Sequence, residues 1–273
     1  MLKARQAQTG DQEAFAPAPI DEVVAAIARD KPAVVFAPHV ETSAGIILPN
    51  DYIKAVTDAV HAVGGIFVLD CIASGCLWVD MKALGVDVLI SAPQKGWSGP
   101  PCCGLVMMSG AGVVALEATT STSFACDLKK WRDIMVIYEN GGHAYHATVP
   151  TDAIAGFAAV MRETEAYGFD KVKSEQQELG DAVRALLASK GIKSVAAEGF
   201  GAPGVVVSYT QDAAVQNGSK FAALGMQIAA GVPLMCDEPE GFRTFRLGLF
   251  GLDKLHNVER SVATLDKALS QVL

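Results

Sequence analysis

IFVLDCIASGCLWVDMKALGVDVLISAPQKGWSGPPCCGLVMMS, residues 66–109, decides the fold. Three short apolar runs in it read as strands: IFVLD (66–70), VDVLIS (86–91) and CGLVMMS (103–109). WVDMKALGV (78–86) reads as a short helix between the first two. A glycine- and proline-rich turn, SAPQKGWSGPP (91–101), follows the second run and carries a lysine, Lys95. The first run ends in a carboxylate, Asp70.

Outward from this stretch the alternation continues. PAVVFAP (32–38) reads as a strand and ETSAGIILP (41–49) as a turn. NDYIKAVTDAVHAVGG (50–65) is an amphipathic helix that Asn50 or Asp51 can cap and Gly64–Gly65 can stop. IDEVVAAIARD (20–30) is a further helix, and the polar, proline-spotted residues before it read as loop. Strand and helix alternating over 32–109 predict an α/β domain whose parallel strands are joined by right-handed crossovers. In such sheets ligands sit at the carboxyl ends of the strands, where Asp70 and the Lys95 turn both fall.

From residue 151 the texture changes. TDAIAGFAAVMRETEAYG and FDKVKSEQQELGDAVRALLASKG read as long helices, PGVVVSYT (203–210) as a strand and KFAALGMQIAAG (220–231) as a helix. FRTFRLGLFG (242–251) is an alternating strand, and NVERSVATLDKALSQVL a final helix. The division expected is therefore a sheet domain over 1–150, and a connecting helix with a smaller α+β domain over 151–273.

The chain has 273 residues, 51% of them hydrophobic and 19% charged, an ordinary globular composition. A net charge of −8 argues against nucleic acid as a partner, since phosphate binding needs a basic face. A mean hydropathy of +0.28 points to extensive buried sheet or a large subunit interface. No apolar run approaches the ~20 residues of a membrane span. The opening MLKARQAQTGDQEAF lacks the apolar core of a signal peptide. The six cysteines form no CxxC pair and read as small core residues of a reducing, cytoplasmic compartment. The neighbours Cys102 and Cys103 are expected on opposite faces of a strand.

Burial lowers the pKa of an amine, which makes a lysine nucleophilic near neutral pH. Gly96 beside Lys95 lets backbone approach a ligand closely. A buried carboxylate needs a cationic or hydrogen-bonding partner, and a protonated pyridine nitrogen is one. Pyridoxal phosphate chemistry uses this pair, a lysine for the Schiff base and an acid at the ring nitrogen. A turn aspartate and a lysine snorkelling to water is the competing reading of the same residues.

FVLDCIAS, SAPQKGWSGPP, YHATVPTDA and FRTFRLGLFG resemble the motifs of class V aminotransferases, a branch of the fold-type I pyridoxal phosphate enzymes. Within it they look closest to alanine–glyoxylate and serine–pyruvate enzymes, and the resemblance runs from about residue 20 to the end. It implies transamination between a small amino acid, alanine or serine, and a small 2-oxo acid, glyoxylate or pyruvate, in a homodimer. It implies a Schiff base and proton transfer at Lys95, Asp70 at the pyridinium nitrogen, Gln94 against the cofactor and Ile72 on a ring face. Thr42, in HVETSAG, falls where the family places a hydroxyl near the ring oxygen. Tyr145 and Thr148 would reach the partner's cofactor phosphate, and Arg246 would clasp the substrate carboxylate with a bidentate fork. Arg243 is the rival arginine, expected on the opposite face of the same strand. His143 and His146 lack a carboxylate or cysteine at ligand spacing, so no metal is expected. Trp97 and Trp131 read as packing residues.

The resemblance implies two things that this sequence does not display: a phosphate-cradling turn and a ring-stacking aromatic residue ahead of PAVVFAP. Alternatives to the main reading are therefore a fragment that does not hold pyridoxal phosphate, with an exposed sheet edge, and a different chemistry on the same fold. That chemistry is 2-aminoethylphosphonate–pyruvate transamination or cysteine desulfuration, although Gln94 stands where desulfurases usually place a histidine.

Overall fold

A computed structural model describes residues 2–6, 8 and 10–273. The loop expected over the first residues lies outside the described residues at Met1, Ala7 and Thr9. In chain order the first half comprises β1 (Arg5–Gln6), β2 (Phe15–Ala16), α1 (Ile20–Asp30), β3 (Val34–Pro38), β4 (Val40–Glu41), β5 (Ile46–Ile47), α2 (Asn50–Ala62), β6 (Ile66–Asp70), α3 (Met81–Leu84), β7 (Val88–Ser91), β8 (Leu105–Met108), α4 (Gly110–Glu117) and α5 (Leu128–Glu139). The second half comprises α6 (Thr151–Tyr167), α7 (Phe169–Ser189), β9 (Val205–Tyr209), α8 (Ala213–Gln216), α9 (Ser219–Ala222), β10 (Ala229–Ala230), β11 (Thr244–Gly248), α10 (Leu252–Leu255) and α11 (Val258–Val272).

The central sheet has four strands in the order β3-β6-β7-β8. β3, β6 and β7 run parallel, with Pro38 opposite Asp70 and Asp70 opposite Ile90. β8 pairs antiparallel with β7, so the sheet is mostly parallel, as expected, and not wholly so. The SAPQKGWSGPP turn is too short to carry a crossover helix, so the chain returns beside the strand it has just left.

α1 and α2 cover one face of this sheet. α2 buries Ile53, Val56, Thr57 and Val60, a helical i, i+3, i+4, i+7 stripe, against Phe67, Leu69 and Leu89. Each fully buried aliphatic side chain there contributes about 1.5–3 kcal/mol. Gly64 at φ 78° ends α2, its N–H donating to the His61 carbonyl. The opposite face stays open along the edge strand β3, where Phe36 is 72% exposed. Its neighbours Val35 and Ala37 point the other way and pack with the core.

The second sheet is antiparallel, in the order β10-β11-β9. α7 and α11 pack Val172, Leu179, Val183, Leu265 and Leu269 on one side of it with Phe245 and Leu247 of β11. The first residues are not all loop: β1 and β2 pair, and the buried Phe15 joins Val195, Val205 and Val207 in a core. The 220–231 segment, expected as a helix, makes one short turn, α9, and then the strand β10. Its Phe221, Met226 and Ile228 pack into the core, while Ala229 pairs with Arg246 and Ala230 with Phe245, so tertiary pairing overrides helix propensity at its end. α4 and α5 follow β8, on a stretch where the sequence pattern marks no helix. Ser109 and Asp127 cap them, accepting from Gly112 N and Lys130 N.

Candidate active site

Parallel strands place Asp70 at the carboxyl end of β6, and two hydrogen bonds carry the ladder one step beyond it. His39 N donates to the Asp70 carbonyl at 2.8 Å, and Cys71 N donates to the Ile90 carbonyl at 2.7 Å. The Asp70 side chain is half-buried, and its Oδ1 accepts the Ile72 N–H at 2.9 Å. That bond turns the chain and fixes the direction of the carboxylate. Ile72 is half-buried immediately beside it.

Lys95 sits in the turn after β7. Ser98 N donates to the Lys95 carbonyl and Gly99 N to the Pro93 carbonyl, both at 2.9 Å, closing the turn on itself. Ala92 and Pro93 are buried, Gln94 is exposed and Lys95 is half-buried. Among the described residues no hydrogen bond or ion pair engages the Lys95 amine or Asp70 Oδ2. A ring of aromatics holds the turn from behind: Trp97 lies 4.9 Å from Trp78, 5.9 Å from Phe157 and 6.3 Å from Phe169, centroid to centroid. Trp97 is thus a packing residue, as expected; Trp131 packs on His146.

The two loops touch through glycines. A Cβ built on Gly96 would lie 2.2 Å from the Gly75 carbonyl oxygen, well inside contact distance, so only glycine fits. Cys76 Sγ lies 3.7 Å from the Gly96 carbonyl. The segment after Asp70 and the turn carrying Lys95 are therefore one packed unit. The β4–β5 hairpin springs from the same end of the sheet, through His39, and presents a half-buried Thr42.

Two residues that the sequence did not single out support this unit. His39 is 4% exposed and shares a 2.7 Å hydrogen bond with Ser74 Oγ through Nδ1. Burial pushes its pKa down to about 4, so the ring is neutral near pH 7. Gln176 of α7 is fully buried, donates to the Pro203 and Leu249 carbonyls, and packs its Oε1 at Gly75. A polar residue at a strand end and a glutamine on a helix are common sequence features, and nothing local marks either.

β11 delivers Arg246 from the second sheet. Its Nε donates to the Ala230 carbonyl at 2.8 Å, while its Nη atoms carry no hydrogen bond among the described residues. Arg243 lies before the strand rather than on its other face, and donates to the Gln211 carbonyl. Past β11 the chain reaches the first sheet's loops. The Phe250 ring comes within 3.4 Å of a Cβ built on Gly75, and Ser98 Oγ within 3.5 Å of one built on Gly251. Tyr145 and Thr148 stand apart from this cluster. They share a 3.2 Å hydroxyl contact in the exposed segment between α5 and α6, and Tyr145 is 72% exposed.

The cysteines divide. Cys71 and Cys76 are buried, Cys102 and Cys236 half-buried, and Cys103 and Cys126 exposed; the expectation of core cysteines holds for the first two and in part for Cys236, which packs against a core cluster. Cys102 and Cys103 precede β8 and face each other, because strand alternation does not govern a loop.

A mostly parallel sheet flanked by helices, with a smaller antiparallel sheet, is the architecture of fold-type I transferases. The alanine–glyoxylate aminotransferase of Nostoc sp. has this fold, with a TM-score of 0.78 at 20% identity, over 93% of this chain and 65% of that one. In sequence, the chain is 27% identical over 248 residues to the soluble hydrogenase small subunit of Synechococcus sp., spanning 89% of this chain and 62% of that protein. It is also 27% identical over 173 residues to the L-aspartate–glyoxylate aminotransferase of Paracoccus denitrificans, spanning 63% of this chain and 42% of that protein. The chain thus spans less than two thirds of the length of either relative. The family model Aminotransferase class-V matches residues 11–214, and the chain belongs to that family.

Proposed function

We propose that this chain carries pyridoxal phosphate-dependent transamination between a small amino acid, alanine or serine, and a small 2-oxo acid, glyoxylate or pyruvate. One observation carries the reading: Asp70 ends β6 and Lys95 follows the adjacent parallel strand β7, with the loops beyond them locked together at Gly75 and Gly96. The donor set fits the aldehyde and the ring nitrogen of the coenzyme. Lys95 offers a primary amine free of protein partners among the described residues, and Asp70 offers a carboxylate oxygen equally free. When bound, pyridoxal phosphate supplies an aldehyde that takes the amino group and a ring that draws electrons from the substrate Cα.

In this reading the Lys95 amine holds the coenzyme and then moves the proton at the substrate Cα as a general base. Asp70 would hold the ring nitrogen end of the coenzyme and stabilise positive charge there, while the Ile72 backbone N–H keeps the carboxylate oriented. Ile72 would cover one face of the ring, Thr42 would serve the ring oxygen, and Gln94 would flank the lysine. Arg246 keeps Nε on the Ala230 carbonyl and offers its Nη atoms to the substrate carboxylate. Residues 1–150 act as part of the coenzyme-binding domain, and 151–273 as the connecting helix and small domain.

The reading extends to a homodimer in the cytoplasm, with Tyr145 and Thr148 serving the partner's phosphate site. The exposed apolar side chains Met135, Tyr138 and Tyr145 near that segment support an interface there. Among the described residues no helix is long and apolar enough to cross a membrane.

The test is borohydride reduction of the chain with pyridoxal phosphate, followed by peptide mapping. Label on Lys95 supports the reading, and label elsewhere or nowhere overturns it. A donor panel of alanine, serine, 2-aminoethylphosphonate and cysteine against glyoxylate and pyruvate then fixes the substrate class. Turnover confined to the last two donors would replace the small-amino-acid assignment.

A further inference from the structure

Cys102 and Cys103 sit in the loop that joins the Lys95 turn to β8. Pro100–Pro101 precede them and Gly104 follows. Their sulfurs lie 3.7 Å apart on one side of the chain. Cys102 is half-buried and Cys103 exposed, so a solution reagent reaches the pair. A Cβ built on Gly104 would meet nothing, which leaves the loop room to adjust. Neither thiol belongs to a core cluster, and the proposed transamination uses neither.

We infer that Cys102 and Cys103 form a redox-active vicinal dithiol, a modification site that a small disulfide of the glutathione type closes into a bond between neighbouring residues. One thiolate attacks the external disulfide, forming a mixed disulfide and releasing one thiol. The adjacent thiolate attacks the protein sulfur of that mixed disulfide and releases the second thiol. Two cysteine thiols are oxidised, and one external disulfide is reduced to two thiols. The second attack needs no search through the chain, because the sulfurs are already in contact.

The same geometry makes the bond reversible. Ordinary disulfides join Cα atoms about 4.4–6.8 Å apart, whereas neighbouring Cα atoms are held at about 3.8 Å. A bond across adjacent residues is therefore strained, and strained, exposed disulfides are the readily reduced ones. This places the pair among responsive sites rather than structural bridges. The inference is independent of the coenzyme reading.

Treatment of the full chain with oxidised glutathione, followed by intact mass and peptide mapping, tests it. The expected product is a 102–103 peptide lighter by two hydrogens, with no retained glutathione and full reversal by dithiothreitol. In Cys103→Ser, Cys102 should instead keep glutathione as a stable mixed disulfide. Cys126→Ser should leave the wild-type outcome unchanged. Stable glutathione on wild-type Cys102 or Cys103, a bridge to Cys126, or an unmodified pair would each overturn the inference.

Discussion

Gly96 and Gly75 meet backbone to backbone, so tightly that a methyl group on Gly96 would fall 2.2 Å from the Gly75 carbonyl oxygen. That contact joins the loop of Asp70 to the turn of Lys95. It gives the glycine after the lysine a structural reason, in addition to access for a ligand.

Gly96→Ala should therefore force the two loops apart. We expect a loss of about 1–3 kcal/mol in urea-induced unfolding, the usual range for overpacking. Pyridoxal phosphate uptake should weaken in parallel. Unchanged stability together with unchanged uptake would show that the contact has no role in assembling the site.

Lys95→Ala and Asp70→Asn separate attachment from electrostatics. The alanine variant should lose the visible absorption band of the coenzyme and the borohydride-stable label. The asparagine variant should keep the label but turn over roughly 100-fold slower or worse, since a preorganised charge is replaced by a neutral amide. Equal turnover by Asp70→Asn and wild type would remove the carboxylate from the proposed chemistry.

His39 sets an acid limit. Burial lowers its pKa from 6.5 to about 4, so the unfolded chain binds its proton at higher pH than the folded one. The contribution is therefore complete above pH 6.5 and is lost as pH falls towards 4, with a span of about 3 kcal/mol. Urea unfolding across this window should show a shallower pH slope in His39→Gln than in wild type. Parallel slopes would mean that the ring is not held neutral in the fold.

Asp87 provides a structural contrast at the opposite end of the sheet. It is 2% exposed and accepts from Phe67 N at 2.9 Å and Ser109 Oγ at 3.1 Å, with His61 Nε2 at 2.8 Å. Asp87→Ala should cost about 1–3 kcal/mol by stranding buried donors. Turnover per folded molecule should stay near wild type, because no proposed site residue touches this network. A selective loss of turnover at full stability would contradict that placement.

Much of this was legible in the chain itself. The helical periodicity of IDEVVAAIARD gave a helix whose bounds match α1, and the apolar run IFVLD gave β6 with Asp70 as its last residue. These features depend on periods of two and 3.6 residues and on local capping, which act within a few residues. The 220–231 segment failed the same approach, since its residues satisfy a helix alone but pair with β11 when that edge is present.

The sequence by itself determined the strands and helices around Asp70 and Lys95, that a carboxylate ends one apolar run and an amine follows the next, and which family motifs they belong to. Only the tertiary structure decided that β8 reverses direction, that Gly75 and Gly96 touch, and that His39 and Gln176 are buried under the site. It also decided that Cys102 and Cys103 face each other and that Tyr145 points to solvent. The physical reason is range. Periodicity and capping are set by near neighbours, whereas strand direction, close backbone approach and the desolvation of a polar side chain depend on residues far away in the chain.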